Sequence, residues 1–244
     1  MDKFTNPILM FSGGKDSLAC LYLLQEKLEH IYVVWANTGK NFPETLKVIE
    51  EAKRLCPKWV ELRSDKAAQW AEYGLPSDIV PFKSTNEGHV VTDTQGIKLQ
   101  HSSDCCRANI LEPILEFATA IGSNLLITGQ KVSDAYKGSS RDGQSIAGIT
   151  FHYPLENWSQ DEVLYYLSGK LGKLPEHLKL NHSSLDCYDC TAYLKDTQDL
   201  HKYVKRKHPA IHADFLSNLH LIKATLNEPL ELINSHLQES SING

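Results

Sequence analysis

The stretch LMFSGGKDSLACLYLL, Leu9 to Leu24, decides how the rest of the chain is read. Leu9 to Phe11 read as the end of a buried strand, and Leu18, Leu21 and Leu24 recur at helical spacing. Ser12, Gly13, Gly14, Lys15, Asp16 and Ser17 therefore form a tight strand-to-helix turn. Such a turn is built for an anion. Its glycines let the backbone approach an oxyanion, the unpaired N–H groups of the first helical turn point at it, and Ser12, Lys15 and Ser17 add donors and a positive charge. A helix start that needed only a cap would take it from Asp16 or Ser17; two glycines, a lysine and two serines exceed that requirement. The spacing is not that of the Walker loop, which sets four residues between its first glycine and Gly-Lys.

The 244 residues can bury a full core, and their composition is that of an ordinary globular protein. A formal net charge of -5 gives no overall electrostatic footprint for nucleic acid, although charge can be segregated locally. No apolar run reaches the length of a membrane span, and the opening MDKFTNPILMF lacks the regions of a signal peptide, so a cytoplasmic setting without membrane contact is expected. Six cysteines in such a chain favour metal binding or thiol chemistry over a disulfide framework.

Short β-branched runs alternate with amphipathic stretches, which predicts an α/β fold: an open, mostly parallel twisted sheet with helices on both faces. Strands are expected at Ile8 to Phe11, Ile31 to Trp35, Trp59 to Leu62, Leu125 to Thr128 and Ile149 to Tyr153. Pro43 and Glu44 mark one helix start, and Ser159-x-x-Glu162 is a capping box for another. Ligands of open α/β sheets sit beyond the carboxyl ends of strands, so ANTG (36–39) and TGQK (128–131) are candidate pocket lining. Residues 89–100, HVVTDTQGIKLQ, read as a β-hairpin turning at Asp93 to Gly96. The chain is expected to divide into a nucleotide-binding domain, 1–194, and a helical C-terminal appendage, 195–244, with a basic patch at 201–208.

Cys105 and Cys106 are adjacent, and Cys187 and Cys190 form a C-x-x-C some eighty residues later. Four thiolates in two clusters suit an iron–sulfur cluster or zinc. Adjacent cysteines are unusual in zinc ribbons, which ranks iron–sulfur first, with no metal as a further alternative. Cys20 and Cys56 fall in helix-like apolar patterns and read as small hydrophobes.

The SGGKDS turn resembles the PP-loop of the ATP pyrophosphatase superfamily. Together with WANTGKNFPET, CCRANILEPI, ITGQKVSDAYKGSSRDG, HYPLENWSQDEVLYYL and the C-x-x-C, in that order over residues 7–194, it is similar to the adenylyl-sulfate and phosphoadenylyl-sulfate reductase family. The resemblance implies an adenine nucleotide alpha hydrolase-like fold. It implies a pyrophosphate-binding turn at Ser12 to Ser17, a nucleotide-pocket edge at Asn37, Thr38 and Gly39, and a phosphate-side loop from Gly129 to Arg141. Lys15, Asp16 and Arg141 would then stabilise charge during catalysis, with Mg2+ held through Asp16, and Cys105, Cys106, Cys187 and Cys190 would ligate a 4Fe-4S cluster.

One departure separates the possible activities. Sulfonucleotide reductases attack their substrate with a cysteine in a C-terminal Glu-Cys-Gly motif, and no cysteine follows Cys190 here. The step requires a sulfur nucleophile, and serine or histidine does not replace it. The reading preferred on this ground is an ATP pyrophosphatase that adenylates an acceptor oxygen for sulfur insertion, similar in logic to the reductase-like ATP pyrophosphatases of DNA phosphorothioation systems, with tRNA thiolation a related option. It implies ATP, a nucleic-acid acceptor and a cysteine desulfurase as sulfur donor; the oligomeric state stays open. The alternatives are a reductase that releases sulfite and a catalytically silent nucleotide-binding regulatory module. His89, His101 and His182 have no ligand spacing, Arg107 serves either a phosphate or a solvated helix face, and Trp158 is expected to pack under its helix.

Overall fold

A computed structural model describes residues 4–134, 140–180 and 187–242. Along the chain the elements are β1 (Ile8–Met10), α1 (Lys15–Leu23), β2 (Tyr32–Asn37), α2 (Pro43–Leu55), β3 (Trp59–Arg63), α3 (Lys66–Tyr73), β4 (Leu75–Ser77), α4 (Asn86–Thr92), β5 (Leu99–His101), α5 (Ser102–Cys106), α6 (Glu112–Ala120), β6 (Leu125–Ile127), β7 (Ser145–Ile146), β8 (Ile149–His152), α7 (Gln160–Leu171), α8 (Gln198–Lys207) and α9 (Pro209–Ile242). They fall into two compact units, Met1–Ser64 with Asn109–Tyr188, and Asp65–Ala108 with Asp189–Gly244. The sequence placed its boundary after residue 194; these units divide at residues 64, 108 and 188.

The first unit carries a six-stranded sheet in the order β3-β2-β1-β6-β8-β7, parallel throughout except for the edge strand β7. All five expected strands are present. Because strand side chains alternate, Leu9, Val33, Leu125 and Ile127 face one core with Leu18 and Leu21 of α1, Val48 and Ile49 of α2, and Val163 and Leu167 of α7. Ile8, Val34 and Leu126 face a second core with Ile114 and Ala118 of α6. Both faces are thus covered, as a parallel sheet requires, and each fully buried Leu or Ile contributes about 1.5–3 kcal/mol. α2 starts on Pro43, and the Ser159–Glu162 capping box opens α7, both as the sequence predicts. Trp158 packs against this core and edge-on to Tyr166.

The chain runs outward from β1 through β2 to β3, then returns to lay β6 on the other side of β1. The topological switch point is therefore the crevice between the carboxyl ends of β1 and β6.

In the second unit β4 and β5 pair in parallel. The expected hairpin at 89–100 does not form. Residues through Thr92 belong to α4, which Thr85 caps by accepting from the Gly88 amide at 2.9 Å, and Asp93 ends it in a left-handed conformation. Gly88 permits the turn to close, since a Cβ there would lie 1.8 Å from the Phe82 carbonyl oxygen. The β-branched run at Val90 to Thr92 reads as a strand, but the local cap outweighs that propensity. Parallel partners need a crossover, which the segment between β4 and β5 supplies. α8 and α9 make the tail helical as expected, with Leu200, Tyr203 and Val204 of α8 and Phe215 and Ile222 of α9 buried. Among the described residues no helix is long and apolar enough to cross a membrane.

Candidate functional site

The Ser12–Ser17 turn lies between β1 and α1, at the switch point. Gly13 has φ +79°, and a Cβ there would press on the Thr45 side chain at 3.0 Å. The loop is tied internally: Ser17 Oγ donates to the Gly14 carbonyl at 3.0 Å, and the Gly14 amide donates to Ser12 Oγ at 3.3 Å. α1 begins at Lys15 with no side-chain cap, which leaves its N-terminal dipole end open to an anion. Lys15 itself is 9% exposed.

Across the crevice Lys131, only 4% exposed, sets Nζ 2.8 Å from Asp16 Oδ1 and 3.0 Å from Asp134 Oδ1. Burial disfavours this ammonium, but Asp16 and then Asp134 outweigh that effect and raise its pKa. Asp16 Oδ2 lies 3.8 Å from Lys15 Nζ. The carboxylate that the sequence offers to Mg2+ thus lies between two ammonium groups. Gly129 makes the close approach possible, because a Cβ there would stand 2.7 Å from the Asp16 carbonyl carbon.

The β2 edge is equally fixed. Asn37 Oδ1 accepts from the Gly39 amide at 2.8 Å, and its Nδ2 donates to Glu61 Oε1 at 2.8 Å, where Arg63 Nε also donates. The Asn37 hydrogen bond, ahead of Arg63, holds the Glu61 carboxyl below the usual range. Thr38 Oγ1 lies 3.3 Å from Cys187 Sγ, and the Tyr188 amide donates to the Lys40 carbonyl at 2.9 Å while its ring meets Phe42 edge-on. The first half of the C-x-x-C is therefore fastened to the Asn37–Lys40 turn.

On the other flank, Arg141 is exposed; its amide donates to Gln144 Oε1 and its guanidinium to the Ser140 carbonyl. Asp142 Oδ1 accepts from the Tyr153 amide at 2.8 Å and lies 2.7 Å from His152 Nδ1 at the end of β8. Burial raises the Asp142 pKa, but the Tyr153 and His152 hydrogen bonds prevail and lower it. Residues 135–139 of the expected phosphate-side loop and His182 lie outside the described residues.

Cys105, Cys106 and Cys190 belong to the second unit. Trp70 Nε1 donates to Cys105 Sγ at 3.2 Å, and the Tyr193 hydroxyl lies 3.8 Å from Cys106 Sγ. Tyr193 is fixed by Asp78, whose two carboxylate oxygens accept from the amides of Tyr193 and Leu194 at 2.7 and 3.0 Å. Three of the four cysteine sulfurs thus have an N–H or O–H group beside them. Among the described residues no three His, Cys, Asp or Glu side chains stand close enough to hold a metal ion as they are. The other two cysteines differ: burial pushes the Cys20 thiol up to about 12 and the Cys56 thiol up to about 11. Arg107 is exposed and 3.8 Å from Asp104, a solvated helix pair.

Sequence reasoning located the turn and both strand ends but missed Lys131 as the partner of Asp16, and missed Glu61, His152 and Trp70. Lys131 closes the TGQK segment already marked as lining, which was a usable signal; Trp70 and Glu61 carried none, since each acts through a neighbour distant in sequence.

A family model, the phosphoadenosine phosphosulfate reductase domain, matches residues 6–193. Sulfate adenylyltransferase subunit 2 of Mycolicibacterium gilvum is 25% identical over 187 residues, 71% of this chain and 58% of that protein. An uncharacterised protein of Methanocaldococcus jannaschii is 40% identical over 80 residues, 31% of this chain and 17% of its own. The chain thus spans little more than half the length of the sulfate adenylyltransferase subunit it matches. Among solved structures, phosphoadenylyl-sulfate reductase from Candida auris superposes with a TM-score of 0.51 at 17% identity, covering 76% of this chain and 83% of that one, a likeness of fold. Matched over residues 6–193, most of its length, the chain belongs to the phosphoadenosine phosphosulfate reductase domain family.

Proposed function

We propose that this protein is an ATP pyrophosphatase that adenylates an acceptor oxygen, in preparation for sulfur insertion into a nucleic acid of the DNA phosphorothioation or tRNA thiolation type. The observation that carries the reading is the uncapped start of α1 at the β1/β6 switch point, with Lys15 and Lys131 beside it. Similarity to a protein named sulfate adenylyltransferase subunit 2 supports transfer of an adenylyl group from ATP to oxygen.

The turn Ser12–Ser17 takes the pyrophosphate part of ATP on its amides and on Lys15. Asn37, Thr38 and Gly39 form the edge of the nucleoside pocket, and Gly129 and Arg141 belong to the opposite flank. The acceptor oxygen bonds to the α-phosphorus as the bond to the bridging oxygen breaks, and pyrophosphate leaves with that electron pair. Lys15 and the helix dipole offset the charge that develops there. A sulfur nucleophile then bonds in place of the activated oxygen, which departs in AMP. Bound to the phosphates of ATP, Mg2+ would supply charge neutralisation, while Asp16 pairs with Lys131. Cys105, Cys106, Cys187 and Cys190 would be the ligands of a 4Fe-4S cluster, which would supply electron-transfer or sulfur-relay chemistry, and a cysteine desulfurase is the expected sulfur source.

Cys20 and Cys56 do not serve the reductase reading, because both are buried thiols held almost fully protonated at neutral pH. The test is anaerobic incubation with ATP, Mg2+ and a sulfur donor, with DNA, tRNA or sulfate as acceptor. Pyrophosphate and AMP release that depends on nucleic acid is expected. Release with sulfate alone would assign the chemistry of the named relative. Thioredoxin-dependent sulfite from an adenylyl sulfate would restore the reductase, and no turnover with any of these would leave a binding module.

A further inference from the structure

At the carboxyl end of β8 the first unit holds an imidazole–carboxylate pair to which the nucleotide contacts above give no task. His152, the last residue of β8, sets Nδ1 2.7 Å from Asp142 Oδ1, and the same oxygen accepts from the Tyr153 amide at 2.8 Å. The Asp142 amide donates to Glu156 Oε1 at 3.1 Å, the Gly143 amide to the Phe151 carbonyl at 2.8 Å, and the Phe151 amide to the Gln144 carbonyl at 2.9 Å. Residues 142–144 are thereby laced to β8, and Arg141 is carried with them.

Asp142 fixes more than the position of the ring. A carboxylate only accepts, so Nδ1 carries the proton of the neutral imidazole and Nε2 presents a lone pair. That nitrogen has no hydrogen-bond partner among the described residues, and the side chain is 41% exposed. A clasp for the loop needs only the bond from the Tyr153 amide to Asp142, not a histidine with its second nitrogen open.

Sheet register relates this residue to the nucleotide turn. Leu9 is in register with Ile127 and Ile127 with His152, so the three form one row across β1, β6 and β8. Leu9 and Ile127 face the core beneath α1, and side chains in register share a face, so His152 stands on the α1 side of the sheet. The row spans two strand spacings, about 10 Å, and the Ser12–Ser17 turn begins three residues beyond Leu9 at the same carboxyl edge.

A neutral lone pair at this edge serves an acceptor that has a proton to lose. A phosphodiester or sulfate oxygen is already anionic and attacks without a base. The carbonyl oxygen of a nucleobase lactam differs, because it becomes a strong nucleophile as the neighbouring ring N–H gives up its proton. We propose that His152, positioned by Asp142, is the general base of the adenylation step and that the acceptor is a lactam oxygen of a nucleobase within a nucleic acid. The inference rests on the adenylation reading and selects, within it, sulfur insertion into a base over insertion into the backbone. The lactam N–H proton passes to His152 Nε2 while the lactam oxygen bonds to the α-phosphorus; the bond to the bridging oxygen breaks, and pyrophosphate leaves with that electron pair.

The experiment uses the full chain with ATP, Mg2+ and sulfide, and with unmodified tRNA or plasmid DNA as acceptor. Pyrophosphate release, ATP affinity by calorimetry and the position of sulfur after nuclease digestion are read for wild type, His152→Ala and Asp142→Asn. Wild type is expected to place sulfur in a base, with kcat rising between about pH 5 and 8. Asp142 is the charged group in contact with the ring, and Arg141 and Glu156 are the others laced into the same turn. His152→Ala is expected to lose about 100-fold or more in kcat at unchanged ATP affinity, to lose the rise with pH, and to regain part of its rate with added imidazole, which a merely loosened loop would not do. Should that variant fail to fold, His152→Asn offers Asp142 an amide N–H in place of the ring's and carries the same expectation for kcat and pH. Asp142→Asn is expected to lower kcat and keep the rise with pH; an unchanged kcat would remove its positioning role. A His152→Ala rate or pH profile equal to that of wild type would overturn the assignment of the base, and sulfur in a phosphodiester linkage that of the acceptor, while adenylation itself survives either result. A wild type that releases no pyrophosphate with either nucleic acid overturns the adenylation reading, and the inference with it.

Discussion

Lys131 and Lys66 are both buried ammonium groups, 4% and 3% exposed, yet they are built for opposite ends. The carboxylates beside Lys131, Asp16 and Asp134, are 27% and 30% exposed, and Asp16 belongs to the first turn of α1, whose start has no side-chain cap. Water reaches those carboxylates, so a phosphate can compete with them for the cation. Asp189 beside Lys66 is 10% exposed and has an indole face for its neighbour. Nothing there can be exchanged cheaply. On the proposed reading the first pair would trade partners; the second is a fastening.

The sharpest way to break this contrast is to remove one carboxylate from each pair. Asp189→Asn strands a buried ammonium and is expected to cost about 3–5 kcal/mol of stability, read as a fall in the urea midpoint. Asp16→Asn leaves Lys131 with Asp134 and with solvent close by, and its expected cost is about 1 kcal/mol or less. Equal losses would mean that the two pairs are the same kind of object.

Nucleotide binding sharpens the other side. Lys15→Ala removes a charged donor worth about 1.5–3 kcal/mol and is expected to weaken ATP binding roughly 10- to 100-fold by calorimetry. Asp16→Asn, by contrast, is expected to leave affinity unchanged or improve it, because the competitor for Lys131 has lost its charge. A loss as large as that of Lys15→Ala would show that Asp16 contacts the ligand or its cation directly. Gly129→Ala comes next in size. Its Cβ would meet Asp16 backbone atoms at 2.7 and 2.9 Å, and backbone cannot swing aside, so a loss of about 1–3 kcal/mol with weakened nucleotide binding is expected.

The same contrast explains what the sequence disclosed. The first unit is made of local signals in register with its sheet: alternating apolar strands, Pro43 at a helix start, the Ser159 capping box and a glycine turn at a strand end. Each is written within a few residues, and the candidate residues Ser12 to Ser17 and Asn37 to Gly39 follow from strand ends. In the second unit the deciding contacts join residues more than a hundred positions apart, as in Lys66 with Asp189 and Asp78 with Tyr193. No window of sequence contains them. The one element misread, the hairpin at 89–100, failed because Thr85 and Gly88 lie outside the alternating stretch yet set its conformation.

The smallest expected effect concerns protons and again falls on the second unit. His201 of α8 is stacked on Phe215 of α9, ring centres 4.0 Å apart, and its Nε2 lies 3.0 Å from Thr197 Oγ1. Burial, with His212 adding repulsion, lowers its pKa from 6.5 to about 4. The folded state therefore keeps this imidazole neutral where the unfolded chain takes up a proton. Its contribution is fully present above pH 6.5 and is lost progressively as the pH falls towards 4. His201→Phe keeps a ring on Phe215 and removes the titrating group. Urea midpoints measured between pH 7 and pH 4 should fall less steeply for that variant than for the wild type, whose slope also contains its carboxylates. Parallel slopes would show that the α8–α9 contact opens freely enough to protonate His201 in place, and the second unit would then be fastened at Lys66 and Asp189 but loose along its helices.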